Sequence, residues 1–215
     1  MNSICKLLPV VLLLVSRLDA QDIAQAYEYR VDAELRLSPA KFPKALFYLE
    51  ESSRFDEQFR AHKCLIGLKY KQQVAPFLSL SARYRLALGI QKQETAHLLA
   101  LSSVIKKDLG PWETRWRIRY ANHADEWNSK ETSYIRFRAL GAYDVPFSRF
   151  KPSLSVEMFQ ALGVSSIHKY RSAITLEYQL NKQQSIALFY KLDYYLDKFE
   201  NKHIFGLNYS YKIKT

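Results

Sequence analysis

Trp112-Glu113-Thr114-Arg115-Trp116-Arg117-Ile118-Arg119-Tyr120 alternates almost without a break between apolar and charged residues. Successive side chains of a strand point to opposite faces. Glu113, Arg115, Arg117 and Arg119 therefore form one charged row, and Trp112, Trp116, Ile118 and Tyr120 form an apolar row behind it. In a soluble barrel the apolar row would face inward; in a bilayer-spanning barrel it faces lipid and the charges fill the interior.

The same alternation recurs on both sides of this stretch. Residues 27–37 set Tyr27, Tyr29, Val31, Ala33, Leu35 and Leu37 against Glu28, Arg30, Asp32, Glu34 and Arg36. Residues 44–55 oppose Phe47 and Leu49 to Glu50, Ser52 and Arg54, and residues 59–71 oppose Cys64, Ile66, Leu68 and Tyr70 to Lys63, Lys69 and Lys71. Beyond Pro76, a run of leucines with Tyr84 faces away from Arg83 and Arg85. Residues 96–106 are patterned most weakly. After Gly110-Pro111 and the quoted strand, the polar stretch 122–132 reads as the longest loop, a candidate surface feature if the barrel serves as an adhesin-like scaffold. Arg136 and Arg138, then Glu157, then Arg171 and Glu177 supply the charged faces of the next three strands. Two more follow, over 185–196 and 203–213, the first with Lys191 and Asp193 on its polar face.

Eleven segments result, whereas up-and-down barrels of bacterial outer membranes normally have an even number. The expectation is thus an all-β, antiparallel up-and-down transmembrane barrel of ten or twelve strands. Segment length favours lipid outside, because a tilted membrane strand needs about 9–11 residues while strands of globular proteins are mostly about 5–6. An unpaired Arg facing lipid near the midplane costs about 2–4 kcal/mol. The expected lumen network is therefore Glu28, Arg30, Asp32, Glu34, Arg36, Glu50, Arg54, Arg83, Arg85, Glu113, Arg115, Arg117, Arg119, Arg136, Arg138, Glu157, Arg171 and Glu177. Facing rows of Arg and carboxylate would form bidentate pairs, making a charged plug or a constricted pore. Trp112, Tyr120, Trp127, Tyr143, Tyr194 and Tyr211 lie near strand ends, where interfacial aromatic girdles form.

The start of the chain supplies a compartment. Lys6 precedes the apolar stretch 7–15, and Leu18-Asp19-Ala20 fits a peptidase site, so residues 1–20 read as a cleaved export signal and 21–215 as one barrel domain. Nine apolar residues are too few for a membrane helix, which needs about 20. The mature chain keeps Cys64 alone, so no internal disulfide can staple it. Fifteen Tyr, 12 Phe and 3 Trp against 6 Gly lean toward strand. The net charge of +11 falls only to +10 when Lys6, Arg17 and Asp19 leave with the signal. That charge is dispersed at two-residue spacing and no nucleic-acid motif accompanies it, so nucleic acid is not an expected partner.

No catalytic constellation emerges. Among His62, His97, His123, His168 and His203 none sits in a His-x-Ser strand motif, and Ser166 with His168 lies at an expected turn. No Cys/His set has zinc spacing and no glycine-rich phosphate loop is present. Neither an enzyme nor a cofactor or metal is expected.

Glu50-Glu51-Ser52-Ser53-Arg54-Phe55-Asp56, Gly67-Leu68-Lys69-Tyr70-Lys71, Ala82-Arg83-Tyr84-Arg85, Arg115 to Tyr120, Arg136-Phe137-Arg138, Glu157 and the stretch 171–180 follow one another in an order that resembles domain of unknown function 2490. That family consists of expected outer-membrane β-barrels of Bacteroidetes-like bacteria. The resemblance implies a Gram-negative outer-membrane location, Glu and Arg inside, and no known reaction. It makes outer-membrane lipid, lipopolysaccharide and the barrel assembly machinery the expected partners of a monomer, acting as a scaffold or a narrow, porin-like, anion-preferring pore. The competing classes are a soluble periplasmic lipocalin-like barrel with a hydrophobic ligand inside and an outer-membrane lipid-modifying enzyme.

Overall fold

The alternation acts over the whole chain, because each turn returns the same parity to the same side of one sheet. The computed structural model describes residues 24–90, 95–122, 133–163, 167–196 and 200–214. The expected signal segment, most of the 122–132 loop, His123, Trp127 and Ser166 lie outside those residues. The strands are β1 Ala24–Ser38, β2 Ala45–Phe55, β3 Ala61–Gln73, β4 Leu78–Gly89, β5 Thr95–Leu109, β6 Trp112–Asn122, β7 Ser133–Tyr143, β8 Phe150–Ala161, β9 Ile167–Gln179, β10 Gln184–Tyr195 and β11 Glu200–Lys214. Each pairs antiparallel with its chain neighbours, and β1 pairs with β11 to close the barrel.

The expected ten or twelve strands are corrected to eleven among the described residues. Every hairpin reverses the chain, so an eleventh strand runs the same way as the first. The β1–β11 seam is accordingly parallel, in register from Ala24 opposite Glu200 to Ser38 opposite Lys214. A parallel ladder satisfies backbone hydrogen bonds as fully as an antiparallel one. Closure therefore does not require even parity.

The weakly patterned segment is a strand of 15 residues. Its inward positions Ala96, Leu98, Ala100, Ser102 and Val104 are uncharged and mark no polar row. They lie between the arginines of β4 and β6, and Arg119 Nε donates to the Ser102 hydroxyl at 2.9 Å.

The strand ends at Phe55 and Ala61, Gly89 and Thr95, Asn122 and Ser133, Ala161 and Ile167, and Tyr195 and Glu200 lie at the first rim, where β1 begins. The second rim, where β11 ends, carries 39–44, 74–77, 110–111, 144–149 and 180–183. Gly110, at φ +61°, makes the two-residue turn between Leu109 and Trp112. Parity puts the charged rows inside. Glu28, Arg30, Glu50, Arg54, Arg119, Glu157, Arg171 and Asp193 are buried, while Leu68, Leu101, Trp116, Ile118, Val156, Ile174 and Leu188 are exposed.

Candidate functional site

The barrel interior holds a chamber of about 310 Å³. Ten cationic side chains line it: Arg30, Arg54, Arg83, Arg85, Arg117, Arg119, Arg136, Arg138, Arg171 and Lys191. Facing them inside are four carboxylates, Asp32, Glu34, Glu50 and Glu157. The imbalance originates in the strands, because β4, β6 and β7 each place Arg at two successive inward positions. Arg117 stands opposite Arg138, and Arg119 opposite Arg136, in the β6–β7 register.

Three carboxylates organise most of the charge. Glu50 accepts from Arg83 at 2.8 Å and from Arg85 at 3.0 Å, with Lys69 Nζ 3.6 Å away. Glu157 accepts from Arg117 at 2.7 Å, and Arg136 grips it with both prongs at 3.0 and 3.2 Å. Asp193, only 1 % exposed, receives both prongs of Arg171 and Lys169 Nζ at 3.0 Å. These forks are the bidentate geometry that makes Arg–carboxylate pairs directional. Arg85 reaches Glu50 by laying its stem over Gly67, where an added Cβ would come within 2.8 Å of Arg85 Cγ.

Arg119 and Arg138 have a different situation. Arg119 donates to the Ser102 hydroxyl and Arg138 to that of Ser155, at 3.0 Å. The Nε atoms of Arg83, Arg117 and Arg138 and one oxygen of Asp32 are buried without a hydrogen-bond partner among the described residues.

The remaining sequence-expected residues sit toward the two ends. Near the first rim, Glu28 meets Arg30, Lys202 Nζ at 2.7 Å and His62 at 3.7 Å, and Arg54 is fully enclosed. Near the second rim, Glu34 pairs with Arg36 and accepts from Ser210 at 3.2 Å, while Glu113 gathers Arg115, Lys106 and Lys151. Glu177 stands across from Lys151 in the β8–β9 register.

The expected lumen network left out several inward residues, although Lys63, Tyr134, Lys191 and Asp193 already stood on the polar faces of their strands in the sequence pattern. Lys63, Lys169, Lys191 and Asp193 join the interior, and so do the apolar Tyr48, Leu65, Tyr134, Phe159, Phe189 and Ile204. The missed signal was adjacency: in Leu65-Ile66, Met158-Phe159 and Leu188-Phe189-Tyr190 two neighbouring apolar residues cannot both face outward. Phe159 carries the cations of Arg136 at 4.2 Å and Lys169 at 4.8 Å over its ring, and Lys191 lies 3.8 Å over Phe189.

The two ends differ. Toward the first rim Leu65, Ile204, Phe159, Lys63 and Lys169 are packed and buried. Toward the second rim Arg36 and Arg115 are 42 % and 48 % exposed, and a vestibule of about 400 Å³ is lined by Lys44, Lys71, Lys106 and Lys212 against Asp108. The interior is thus filled with buried side chains toward the first rim and bordered by a basic cavity toward the second.

Outside, aliphatic residues and rings share the middle of the strands, where Tyr84, Trp116 and Phe137 are exposed, and ring pairs gather at the ends. Phe47–Tyr70, Trp112–Tyr143 and Phe150–Tyr178 are ring pairs near the second rim, and Tyr29–Phe59 and Tyr27–His203 near the first. The exterior also shows a polar spot, Ser53 donating to Glu51 at 2.6 Å with Cys64 Sγ 3.8 Å from the same oxygen. His97 and His203 bond to tyrosine hydroxyls, at 2.7 Å to Tyr84 and 2.9 Å to Tyr190, and His168 packs on Tyr134 and Tyr195. Among the described residues no helix is long and apolar enough to cross a membrane, and no group of three or more His, Cys, Asp or Glu could hold a metal.

A family model described as a protein of unknown function, DUF2490, matches residues 25–202, which run from β1 through β10 to the first residues of β11. No curated protein matches the chain.

Proposed function

We propose that this chain, which belongs to the DUF2490 family, is a monomeric outer-membrane barrel of Gram-negative type that works as a non-enzymatic scaffold around an occluded, arginine-lined lumen. The observation that carries it is the inversion of the usual burial pattern. Charged side chains are enclosed, while Leu49, Leu68, Leu101, Ile118, Val156, Ile174 and Leu188 are exposed on strands all around the closed order. Monomers in water rarely expose a contiguous apolar patch beyond a few hundred Å². A lipid-facing barrel needs such a band, about 25 Å tall and flanked by aromatic girdles. Strands of 11–15 residues are long enough to supply it at the usual tilt. A lipocalin-like barrel would place the apolar rows inside, opposite to the burial seen here.

Outer-membrane lipid and lipopolysaccharide are then the surroundings, the barrel assembly machinery the folding partner, and residues 1–20 the export signal. The buried layer at the first rim favours a scaffold over conduction. The second reading, a narrow anion-preferring pore, draws on the surplus of Arg over carboxylate around the chamber.

Fractionation of cells expressing the full chain, with gel migration compared before and after boiling, tests the proposal. Recovery in the outer membrane with a band that shifts on heating is the expected result. A soluble periplasmic protein with no shift would overturn it. Planar-bilayer recording separates scaffold from pore: no steps are expected, and anion-selective steps that weaken in Arg117→Gln and Arg138→Gln would favour the pore.

A further inference from the structure

We infer that the chamber is a binding site for a multivalent oxyanion, inorganic phosphate or a small phosphorylated or sulfated solute, held on the β6–β7 arginines and admitted through the second rim. Four arginines, Arg117, Arg119, Arg136 and Arg138, form a block on two adjacent strands with like charges directly opposed. Like charges opposite one another in a ladder are destabilising, and Glu157, which also stands opposite Arg138 in the β7–β8 register, makes ion pairs with only Arg117 and Arg136 of the four. The hydrogen bonds of Arg119 and Arg138 go to neutral serine hydroxyls, so Glu157, opposite Arg138, offsets their charge without a direct bond to either.

The unused donors have a common location. Arg83, Arg117 and Arg138 all line the chamber, and the Nε of each is buried with no partner among the described residues. A buried donor without an acceptor costs the desolvation of that group, and an anion with several oxygens meets more than one donor at once. Guanidinium groups match phosphate geometry with two parallel bonds. Asp32, whose strand lies across the closed order from β6, sits on the far wall. The chamber has room for about ten water volumes, taking about 30 Å³ for each, enough for a phosphate with part of its hydration shell and too little for a large polyanion.

Access is one-sided. Lys44, Lys71, Lys106 and Lys212 at the mouth raise the local concentration of anions, as like-signed charge lining a cleft does. The packed first-rim layer closes the other end, and the closed sheet bars entry from the sides. The ligand is therefore a solute and not the head group of a lipid in the surrounding layer. This inference needs the closed interior alone, so it survives if the barrel proves soluble or never conducts.

The test titrates inorganic phosphate, sulfate and chloride, at constant ionic strength, into the full chain folded in detergent, with binding followed by calorimetry and phosphorus resonance broadening. Saturable phosphate or sulfate binding at one per barrel is expected, with chloride weaker by about tenfold or more, the worth of one charge-assisted hydrogen bond. In Arg119→Gln/Arg138→Gln that binding should fall by about tenfold or more. The same double variant should unfold no more easily than wild type in chloride, since like-charge repulsion is relieved. Arg138→Lys, which keeps the charge and loses the fork, should bind more weakly than wild type and serves if the double variant does not fold. Absence of saturable binding, equal binding of chloride, or wild-type affinity in Arg138→Lys and the double variant would each overturn the inference and leave a water-filled chamber.

Discussion

Single residues in this barrel differ according to whether their charge is shared or stranded. Asp193 is the acceptor for Arg171 and Lys169 in a fully enclosed position. Removing one partner of a buried ion network leaves the others uncompensated and typically costs about 3–5 kcal/mol. Asp193→Ala should therefore lower the urea midpoint of the detergent-folded protein strongly, while Glu177→Ala, half-buried at the other end of the barrel, should do so far less. Gly206 is constrained by approach rather than by conformation. A Cβ there would run into the Phe189 ring and come within 2.8 Å of the Arg30 carbonyl oxygen. Because the second clash is with backbone, Gly206→Val should loosen β11 against both β1 and β10. Hydrogen exchange at Arg30 and Phe189 would register the loosening first.

A strand carries two faces, and substitutions on them have opposite consequences. Trp116 and Leu101 point outward at mid-strand, at 59 % and 60 % exposure. If lipid surrounds them, Trp116→Arg and Leu101→Arg should each destabilise the folded barrel by about 2–4 kcal/mol. On a water-exposed surface the same changes would fall within about 0.5 kcal/mol, so equilibrium unfolding in lipid vesicles separates the two environments. Turns obey other rules. In the β2–β3 connection, Asp56 accepts from the backbone N–H groups of Gln58 and Arg60 at 3.0 and 2.9 Å and pairs with the Arg60 guanidinium at 2.8 Å. Desolvation pushes the Asp56 carboxyl slightly up, but the Arg60 and Gln58 hydrogen bonds prevail and hold it below its ordinary value. A lowered folded value means the turn's contribution is present above the unfolded carboxylate range and is lost as pH falls through the folded value. Asp56→Asn should therefore weaken the barrel at neutral pH, and its unfolding midpoint should converge with wild type in acid.

At the scale of the whole molecule, the parallel seam holds the ring shut, with fifteen register pairs between β1 and β11. A chain stopped after Lys202 would retain ten strands and lose closure, exposing two unpaired edges that lipid, if it surrounds the barrel, cannot satisfy. Loss of the compact, heat-shiftable gel band in that truncation is the expected outcome. The sequence by itself determined the strand identities, the two faces of each strand, and the charged rows from Glu28 to Glu177, because period-two alternation is a local property carried by neighbours in the chain. β5 was faint for a local reason too: its uncharged inward residues from Ala96 to Val104 leave the polar row unmarked. Only the tertiary structure decided that eleven strands close through a parallel seam, that Leu65, Phe159 and Ile204 share the interior with the charged rows, and that Glu50 and Glu157 each bond several cations while Arg119 and Arg138 bond to serines. Those outcomes depend on which residues meet across the lumen. Register and closure set those meetings, and no stretch of the chain contains both partners.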